Sequence, residues 1–293
     1  MRYAFALILV AALGAGVTVA ALGDPLSPSD PPASGDAETQ PFAELELEPA
    51  DGRREKPKRE PKPRALPTGE WIDQAWKYAG ERGGLVSFAV IDTRGRLRGQ
   101  EMDRQYSAAS IVKAMVLAAE LRRLAEEGSP IDEGTDSLLS SMIRYSDNEA
   151  ADAVYARVGD EGMHAVAERA GMTGFTIAGH WGNAQITAGD MARFFAELDE
   201  MFPRAHVDYA QSLLASVIPS QTWGIPVAAG EEWAARFKGG WLPEKALVHQ
   251  AAELRERGGP RQLSMAILTD EQPSHAYGVE TVEGVAARLL GAH

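Results

Sequence analysis

The sequence predicts an α+β domain, and three observations support this class. Runs typical of strands come at the beginning and the end of the folded region, runs typical of helices lie between them, and no internal repeat is present. This order favours terminal segments that share one sheet. We therefore predict an antiparallel sheet formed by the N- and C-terminal segments, with flanking helices and an all-helical lobe.

The first element, residues 1–23, is predicted to be a targeting segment. Arg2 precedes an uncharged, apolar run that ends near residue 23. A cleaved signal peptide has such an apolar core, and about 20 apolar residues are also long enough for a retained membrane anchor. Both alternatives stay open. In either case the positive charge before the run predicts that the rest of the chain is exported, either secreted or tethered to the membrane by this segment.

Residues 24–69 are predicted to form a disordered linker. Proline recurs throughout this stretch and large apolar side chains are few, so too little surface can be buried to offset the entropy of ordering. Residues 53–64 (RREKPKREPKPR) are basic as well as Pro-rich. This composition suits a solvated stalk, or a segment attracted to anionic wall polymers or lipid headgroups.

The folded domain is predicted to span residues 70–293 and to begin with a helix and a hairpin. Residues 71–82 have the apolar spacing of a short amphipathic helix. Residues 85–91 are β-branched and aromatic, and the turn sequence DTRG leads from them to a returning strand over 96–101.

The middle of the domain carries helical patterns, and its end carries strands again. A long helix is predicted from Ser110 to residue 127, where Gly-Ser-Pro stops it. Further helices are predicted over 136–144, 148–158, 162–170, 187–198, 207–218 and 279–290. Late strands are predicted over 233–239, 246–254 and 262–269, with a Gly-Gly-Pro hairpin loop between the last two.

Composition and charge exclude several classes of function. The 293 residues carry a net charge of −13, which disfavours nucleic acid as a partner. The absence of cysteine excludes disulfides, thiolate metal sites and thiol catalysis. The six histidines form no pair at the spacing of metal ligands, so neither a metal nor another cofactor is expected. We expect a monomer that acts on a small molecule.

The sequence Ser110-Ile111-Val112-Lys113 is the first candidate for catalysis. Side chains three positions apart on a helix lie on one face, with Cβ atoms about 5–6 Å apart. An amine at that distance can take the proton of a hydroxyl, and serine needs an adjacent base to become a good nucleophile. The spacing alone is weak evidence, because Ser-x-x-Lys is common by chance.

Two further motifs follow in the chain. The sequence SDN at 146–148 comes after a predicted helix, and KGG at 238–240 ends a late strand. Ser146 with Glu149 also fits a capping box, which is a purely structural interpretation. However, the order of the three motifs and their positions relative to the predicted elements form a joint constraint that chance rarely meets.

With these motifs, residues 70–293 resemble the penicillin-recognising serine hydrolases, the superfamily of class A β-lactamases and penicillin-binding D,D-peptidases. The resemblance rests on SAASIVKAMVLAAELR, MIRYSDNEAA and FKGGW, in that order and after a hairpin. It implies a β-lactamase/transpeptidase-like fold. It also implies a serine hydrolase that acts on β-lactams or on peptidoglycan-type substrates.

The resemblance implies a role for each matching residue. Ser110 would be the nucleophile and Lys113 the base that activates it, although the acylation base of the family is disputed. Ser146 would relay a proton to the leaving nitrogen. Asn148 would bind the substrate's amide, and Lys238 would attract its carboxylate.

An oxyanion hole is implied in the same way. Its donors would be the backbone N–H groups of Ser110 and Trp241, and Gly240 lies directly before Trp241. Such donors are worth about 10²–10³ in rate in other acyl-transfer enzymes. Gly240 and Trp241 are therefore placed with the substrate-binding residues.

Two departures from the family pattern bear on turnover. The family usually has Thr or Ser at the position of Gly239, where a hydroxyl helps to hold the carboxylate. Residues 171–186 correspond to the loop that carries the deacylating Glu of class A enzymes, and they contain no carboxylate. His180 is a conceivable substitute, but a lone His beside a Trp is more often structural. We therefore expect an acyl-enzyme that forms and persists.

The sequence leaves three functions open. The preferred one is an exported serine hydrolase with poor or unconventional deacylation. The alternatives are a cell-wall-binding or regulatory pseudoenzyme that retains the pocket, and an unrelated domain with accidental motifs. The sequence leaves the roles of His180, Lys245 and His249 undecided. Trp223 and Trp233 are expected to pack in the core or in the lobe.

Overall fold

A computed structural model describes residues 65–292, apart from the side chain of Lys245. The predicted targeting segment and nearly all of the predicted linker lie outside the described residues. None of the helices between residues 65 and 292 combines the length and the apolar character needed to span a bilayer.

The strands confirm the predicted α+β class. Their bounds are β1 (Leu85–Ile91), β2 (Leu97–Gln100), β3 (Gln105–Ser107), β4 (Gln185–Thr187), β5 (Trp233–Leu242), β6 (Leu247–Glu256) and β7 (Gln262–Asp270). Five of them form one antiparallel sheet in the order β2-β1-β7-β6-β5, and β3 pairs with β4 in a separate ribbon. As predicted, strands from the beginning and the end of the domain share the main sheet.

The helices lie on both faces of this sheet. Their bounds are α1 (Gly69–Glu81), α2 (Lys113–Glu127), α3 (Glu133–Ser140), α4 (Asn148–Arg169), α5 (Ala188–Ala196), α6 (Leu198–Met201), α7 (Val207–Ala215), α8 (Ile225–Ala229) and α9 (His275–Leu289). Helices α1, α8 and α9 pack together on one face. Helix α5 covers the other face, where α2, α4 and their neighbours form the helical lobe.

Side-chain alternation in β1 connects the two apolar cores. Phe88 and Val90 are fully buried in the core beneath α1 and α9, whereas Ala89 is buried in the core on the lobe side. Successive side chains of a strand point to opposite faces of the sheet. A strand that is buried on both faces therefore appears in the sequence as a continuous apolar run, as β1 does.

Three differences from the predicted elements lie close to the candidate site. The helix predicted from Ser110 opens with a 3-10 turn, Ala109–Val112, before α2 begins. The helix predicted over 136–144 ends as α3 and continues as one π turn, Ser141–Tyr145. The β3–β4 ribbon was not predicted, because strands of three residues are too short to show an alternating pattern.

Candidate active site

Ser110 lies in the 3-10 turn that opens α2. The backbone N–H of Ala108 donates a hydrogen bond to Ala184 O (2.9 Å), which holds the start of the turn beside β4. Ala109 has a φ of +47°. Such a conformation is uncommon outside glycine and is often found where a functional side chain must be held in place. Ile111 is fully buried and anchors the turn, while Ser110 itself is half-buried.

Lys113, the first residue of α2, is fully buried. Its Nζ donates hydrogen bonds to Ser146 O and to Asn148 Oδ1, both at 2.6 Å, and neither of these bonds is to Ser110. Burial lowers the pKa of Lys113 to about 8, and the carboxylates of Asp147 and Asp152 only partly oppose this shift. A neutral amine is therefore accessible near neutral pH.

Ser146 is held between two lysines. It follows the π turn and has left-handed backbone angles (φ 60°, ψ 32°). The fully buried Lys238 donates from Nζ to Ser146 Oγ at 3.0 Å and to Gly239 O at 2.9 Å. Burial, followed by the nearby charge of Lys113, lowers the pKa of Lys238 to about 7. The structure thus joins residues from three separate motifs in one polar network.

The capping-box interpretation of Ser146 is wrong. Asp147 is the N-cap of α4, and its Oδ1 accepts the hydrogen bond from Ala150 N at 2.9 Å. This cap fixes the beginning of α4, and Asn148 as the first residue of the helix is thereby fixed beside Lys113. The Ser146 hydroxyl stays free of the capping role.

Gly240 brings β5 against the start of the nucleophile turn. A Cβ at this position would lie 2.8 Å from Ser110 N and 2.7 Å from Ile111 N. Only glycine permits so close an approach. Trp241 follows in β5, opposite Val248 of β6, so that its backbone lies next to this point of closest approach.

The loop before β4 covers Lys113 with an aromatic ring. Lys113 Nζ lies 4.8 Å from the centroid of the Trp181 ring, and Trp181 is almost fully buried. Trp181 Nε1 donates to Asp152 Oδ1 at 2.6 Å. Residues 171–186 thus contribute an indole beside Lys113 and no carboxylate.

His180 has both ring nitrogens engaged by neighbouring groups. Its Nδ1 accepts a hydrogen bond from Gly182 N at 3.0 Å, so the hydrogen of a neutral ring is on Nε2. Nε2 then donates to Asp152 Oδ1 at 2.9 Å. No ring nitrogen is left as an acceptor for a water molecule, and this geometry is that of a structural histidine.

Asp152 is the site residue that sequence reasoning missed. Two hydrogen bonds, from Trp181 and then from His180, hold the pKa of this carboxylate below its usual range, and the charge of Lys113 acts in the same direction. The available signal was its position: Asp152 is four residues after Asn148 in α4, on the same face of the helix. It provides a carboxylate near Lys113 that comes from a helix and not from the loop.

Replacing Asp152 by alanine is expected to loosen the loop that covers Lys113. Two hydrogen bonds to an ionised acceptor are lost, but the carboxylate is half exposed, so we expect a loss of about 1 kcal/mol in the free energy of unfolding. Amide hydrogen exchange at residues 180–183 should become faster. Glu168→Ala, an exposed acid on the same helix, is the control. Equal exchange in both variants would contradict the anchoring role.

The remaining candidates from the sequence are His249, Trp233, Trp223 and Lys245. His249 is fully buried beneath the site, where Nε2 is 3.0 Å from Ser107 O and Nδ1 accepts from Thr269 N; burial lowers its pKa to about 4. Trp233 is buried in the core, as expected. Trp223 also packs against the core as expected, and its half-buried ring lies against Gly239. The side chain of Lys245 lies outside what the structure describes.

The fold and the site define a class of protein. An antiparallel sheet with a helical lobe, with a serine and a lysine at the start of the long helix and a second lysine on the edge strand, is the architecture of penicillin-recognising serine hydrolases. A family model described as the beta-lactamase enzyme family matches residues 134–292, and the chain belongs to that family. The protein is a serine hydrolase of the β-lactamase type.

Solved β-lactamases share the fold at low sequence identity. The β-lactamase from Sphaerobacter thermophilus superposes with a TM-score of 0.67 at 18% identity, covering 75% of this chain and 96% of that one. The class A β-lactamase from Mycobacterium abscessus gives 0.66 at 19%, covering 76% and 98%. A β-lactamase from Xanthomonas campestris gives 0.66 at 15%, covering 76% and 97%. The comparison with curated proteins gives no match.

Proposed function

We propose that this protein is an exported serine hydrolase that is acylated at Ser110 by a β-lactam or by an amide or ester of the acyl-D-amino-acid type. The observation that carries this proposal is the buried Lys113, whose Nζ donates to Ser146 O and Asn148 Oδ1. A neutral lysine amine has two N–H groups and one lone pair. Because both N–H groups donate here, the lone pair is left to accept a proton. In this proposal that lone pair takes the proton of Ser110, three residues earlier in the chain.

Acylation then follows from the polar network. Ser110 Oγ attacks the carbonyl carbon while its proton passes to Lys113 Nζ. The oxyanion is stabilised by the backbone N–H groups of Ser110 and Trp241. Ser146 Oγ accepts from Lys238, so its own O–H is free to protonate the leaving atom as the bond to the carbonyl carbon breaks, while Lys238 Nζ returns a proton to Ser146 Oγ and Lys113 keeps the proton of Ser110. The products of this step are an ester on Ser110 and an amine or alcohol, which is released from an acyclic substrate and stays tethered to the acyl group when a β-lactam ring opens.

Deacylation is slow in this proposal. Residues 171–186 contain no carboxylate, and both nitrogens of His180 are engaged. Asp152 already accepts two hydrogen bonds on Oδ1, which weakens it as a base. Water therefore lacks a strong base beside the ester, and the acyl-enzyme accumulates.

The alternative is a cell-wall-binding or regulatory pseudoenzyme that retains the pocket. The specific observation in its favour is the same loop, in which Trp181 covers Lys113 without supplying a carboxylate. Gly239, which lacks the hydroxyl of the family pattern, also favours it. Such a protein would bind the ligand without forming a covalent bond.

Labelling with a fluorescent penicillin, followed by intact-mass analysis, tests the proposal. We expect a single adduct that persists for many minutes, because acylation is supported and deacylation is not. Ser110→Ala should abolish the adduct, whereas Ser137→Ala, an exposed serine on α3, should leave it unchanged. Rapid hydrolysis of nitrocefin would contradict slow deacylation. The absence of labelling by any β-lactam or activated-serine probe would favour the pseudoenzyme.

Export is the part of the proposal that rests on the sequence alone. The mature mass of the protein recovered from outside the cytoplasm distinguishes the two alternatives for residues 1–23. Loss of about twenty residues indicates a cleaved signal peptide, and the full mass in a membrane fraction indicates an anchor. Recovery of the full-length chain only from the cytoplasm would overturn export.

A further inference from the structure

Gly239 and Trp241 lie on the face of β5 opposite to the two lysines. Lys238 reaches Ser146, and Gly240 lies against the turn of Ser110. Because successive residues of a strand point to opposite faces, Gly239 and Trp241 share the other face. The family pattern places its carboxylate-binding hydroxyl at the position of Gly239.

In this chain an indole ring takes the place of that hydroxyl. A Cβ on Gly239 would lie 3.3 Å from Cζ2 of Trp223, so the ring packs directly over the glycine. The loop that carries Trp223 is fixed from below by the fully buried Gln250. Its Nε2 donates to Trp223 O at 2.8 Å, and its Oε1 accepts from Ile225 N at 2.6 Å. The position of the backbone of Trp223 is therefore set by the sheet.

Three rings meet on this face. Trp223 lies 6.3 Å from Trp241 and 6.3 Å from His275, and Trp241 lies 6.2 Å from His275, measured between ring centroids and with steep interplanar angles. The two tryptophans are half-buried and His275 is exposed. We call these three residues the aromatic face. Rings at such angles leave edges and faces that an additional ring can contact.

Lys238 is poorly placed to hold a carboxylate on this face. Its Nζ is fully buried on the other side of β5 and is engaged by Ser146 Oγ and Gly239 O. A carboxylate beside Gly239 would meet indole carbons in place of a hydroxyl. Indole carbons offer an ionised group no hydrogen bond, so desolvation of the carboxylate would not be compensated.

We propose that the aromatic face is the subsite for the leaving portion of the substrate, and that it selects an uncharged leaving group bearing an aromatic ring. Among the amides and esters whose acyl group is transferred to Ser110, the preferred ones therefore have a leaving group that is ring-bearing and neutral. A carboxylate on the leaving group contributes little to recognition. This inference rests on the proposed acylation of Ser110 and narrows the substrate class for that reaction.

Thioesters of one acyl group with three leaving thiols test the selection. The thiols are benzyl mercaptan, mercaptoacetamide and mercaptoacetate, and the last two are nearly equal in size but differ in charge. After correction for hydroxide-catalysed rates, we expect the second-order rate constant of acylation, measured by thiol release, to be about tenfold higher for the benzyl thioester than for the mercaptoacetamide thioester. The mercaptoacetate and mercaptoacetamide thioesters should agree within about threefold. A clear preference for mercaptoacetate would overturn the proposal.

Variants assign the preference to the aromatic face. Trp223→Ala should remove most of the benzyl preference, and Trp223→Phe should retain it. Trp76→Ala, an exposed tryptophan on α1, is the matched control and should leave it unchanged. The double variant Gly239→Thr/Trp223→Ala should gain a preference for mercaptoacetate. An unchanged benzyl preference in Trp223→Ala, with an unchanged melting temperature, would overturn the proposal.

A binding measurement separates this inference from the proposed function. The Ser110→Ala protein is titrated with the N-benzyl amide and the N-carboxymethyl amide of the same acyl group, and the indole N–H signals of Trp223 and Trp241 are followed by NMR. We expect the N-benzyl amide to bind at least about fivefold more tightly and to shift both signals. Tighter binding of the N-carboxymethyl amide would overturn the subsite. Absence of Ser110-dependent thiol release from every thioester would instead overturn the proposed acylation.

Discussion

Replacing Lys113 by methionine is expected to slow acylation of Ser110 by about 10³-fold, because a general base typically contributes 10²–10⁴ in rate. Methionine keeps most of the side-chain volume beneath Trp181 but has no lone pair for the Ser110 proton. The rate of adduct formation with a fluorescent penicillin measures the loss. Lys77→Met, an exposed lysine on α1, should label at the wild-type rate.

The pH dependence of acylation gives an independent readout of the same lysine. With a pKa of about 8, about one in ten Lys113 side chains is neutral at pH 7, against about one in three thousand for a lysine of ordinary pKa. The neutral amine is the base, so the rate should rise about tenfold per pH unit below 8 and level off above it. This rise should be absent in Lys113→Met.

Other groups near Lys113 must be separated from this effect. Lys238 has a pKa of about 7 and titrates in an overlapping range, whereas the lowered pKa values of Asp147 and Asp152 keep both carboxylates ionised throughout. Because Lys113→Met removes the charge that helps to lower the pKa of Lys238, any titration of Lys238 should move to higher pH in the variant, whereas the rise that levels off near pH 8 should disappear. If both profiles rise alike, another group is the base.

Replacing Gly240 by alanine is expected to lower the acylation rate by about 10²–10³, the effect of losing one oxyanion donor. The added Cβ would lie 2.7 to 2.8 Å from the backbone nitrogens of Ile111 and Ser110, so β5 must move away from the nucleophile turn. Overpacking of this kind typically costs about 1–3 kcal/mol in the free energy of unfolding. Labelling rate and chemical denaturation measure the two effects.

A second glycine provides the control for this variant. Gly80 lies in α1, and a Cβ there would meet nothing within 4 Å. Gly80→Ala should therefore acylate normally and gain up to about 1 kcal/mol from helix propensity. If Gly240→Ala labels as fast as Gly80→Ala, the close approach of β5 is not needed for acylation.

Much of this fold could be predicted because its signals are local. The strands and most helices show their periodicity within a few residues, and the order of the elements then leaves few ways to build the sheet. The pair Ser110 and Lys113 is visible for the same reason, since three positions along a helix fix their separation. The sequence order of the three motifs indicated that they would meet, and the hydrogen bonds of Ser146 join them.

The features that could not be predicted depend on contacts between distant segments. Asp152 shares a helix face with Asn148, but its two hydrogen bonds exist only because Trp181 and His180 fold back onto α4. The ring of Trp223 reaches Gly239 only because Gln250 holds its loop against β6. The π turn before Ser146 departs from a regular helix by one hydrogen-bond register, and the apolar pattern carries no sign of it.

The position of β5 at the edge of the sheet has a consequence for substrate recognition. In the described sheet β5 has a strand partner only on the side of β6, so its other edge offers backbone donors and acceptors beside Ser110. Proteins usually guard such edges against pairing with a foreign chain. Here an extended acyl group aligned along the edge would be recognised through its backbone, whatever its side chains. The leaving group, on the other side of the scissile bond, would then determine which substrates are preferred.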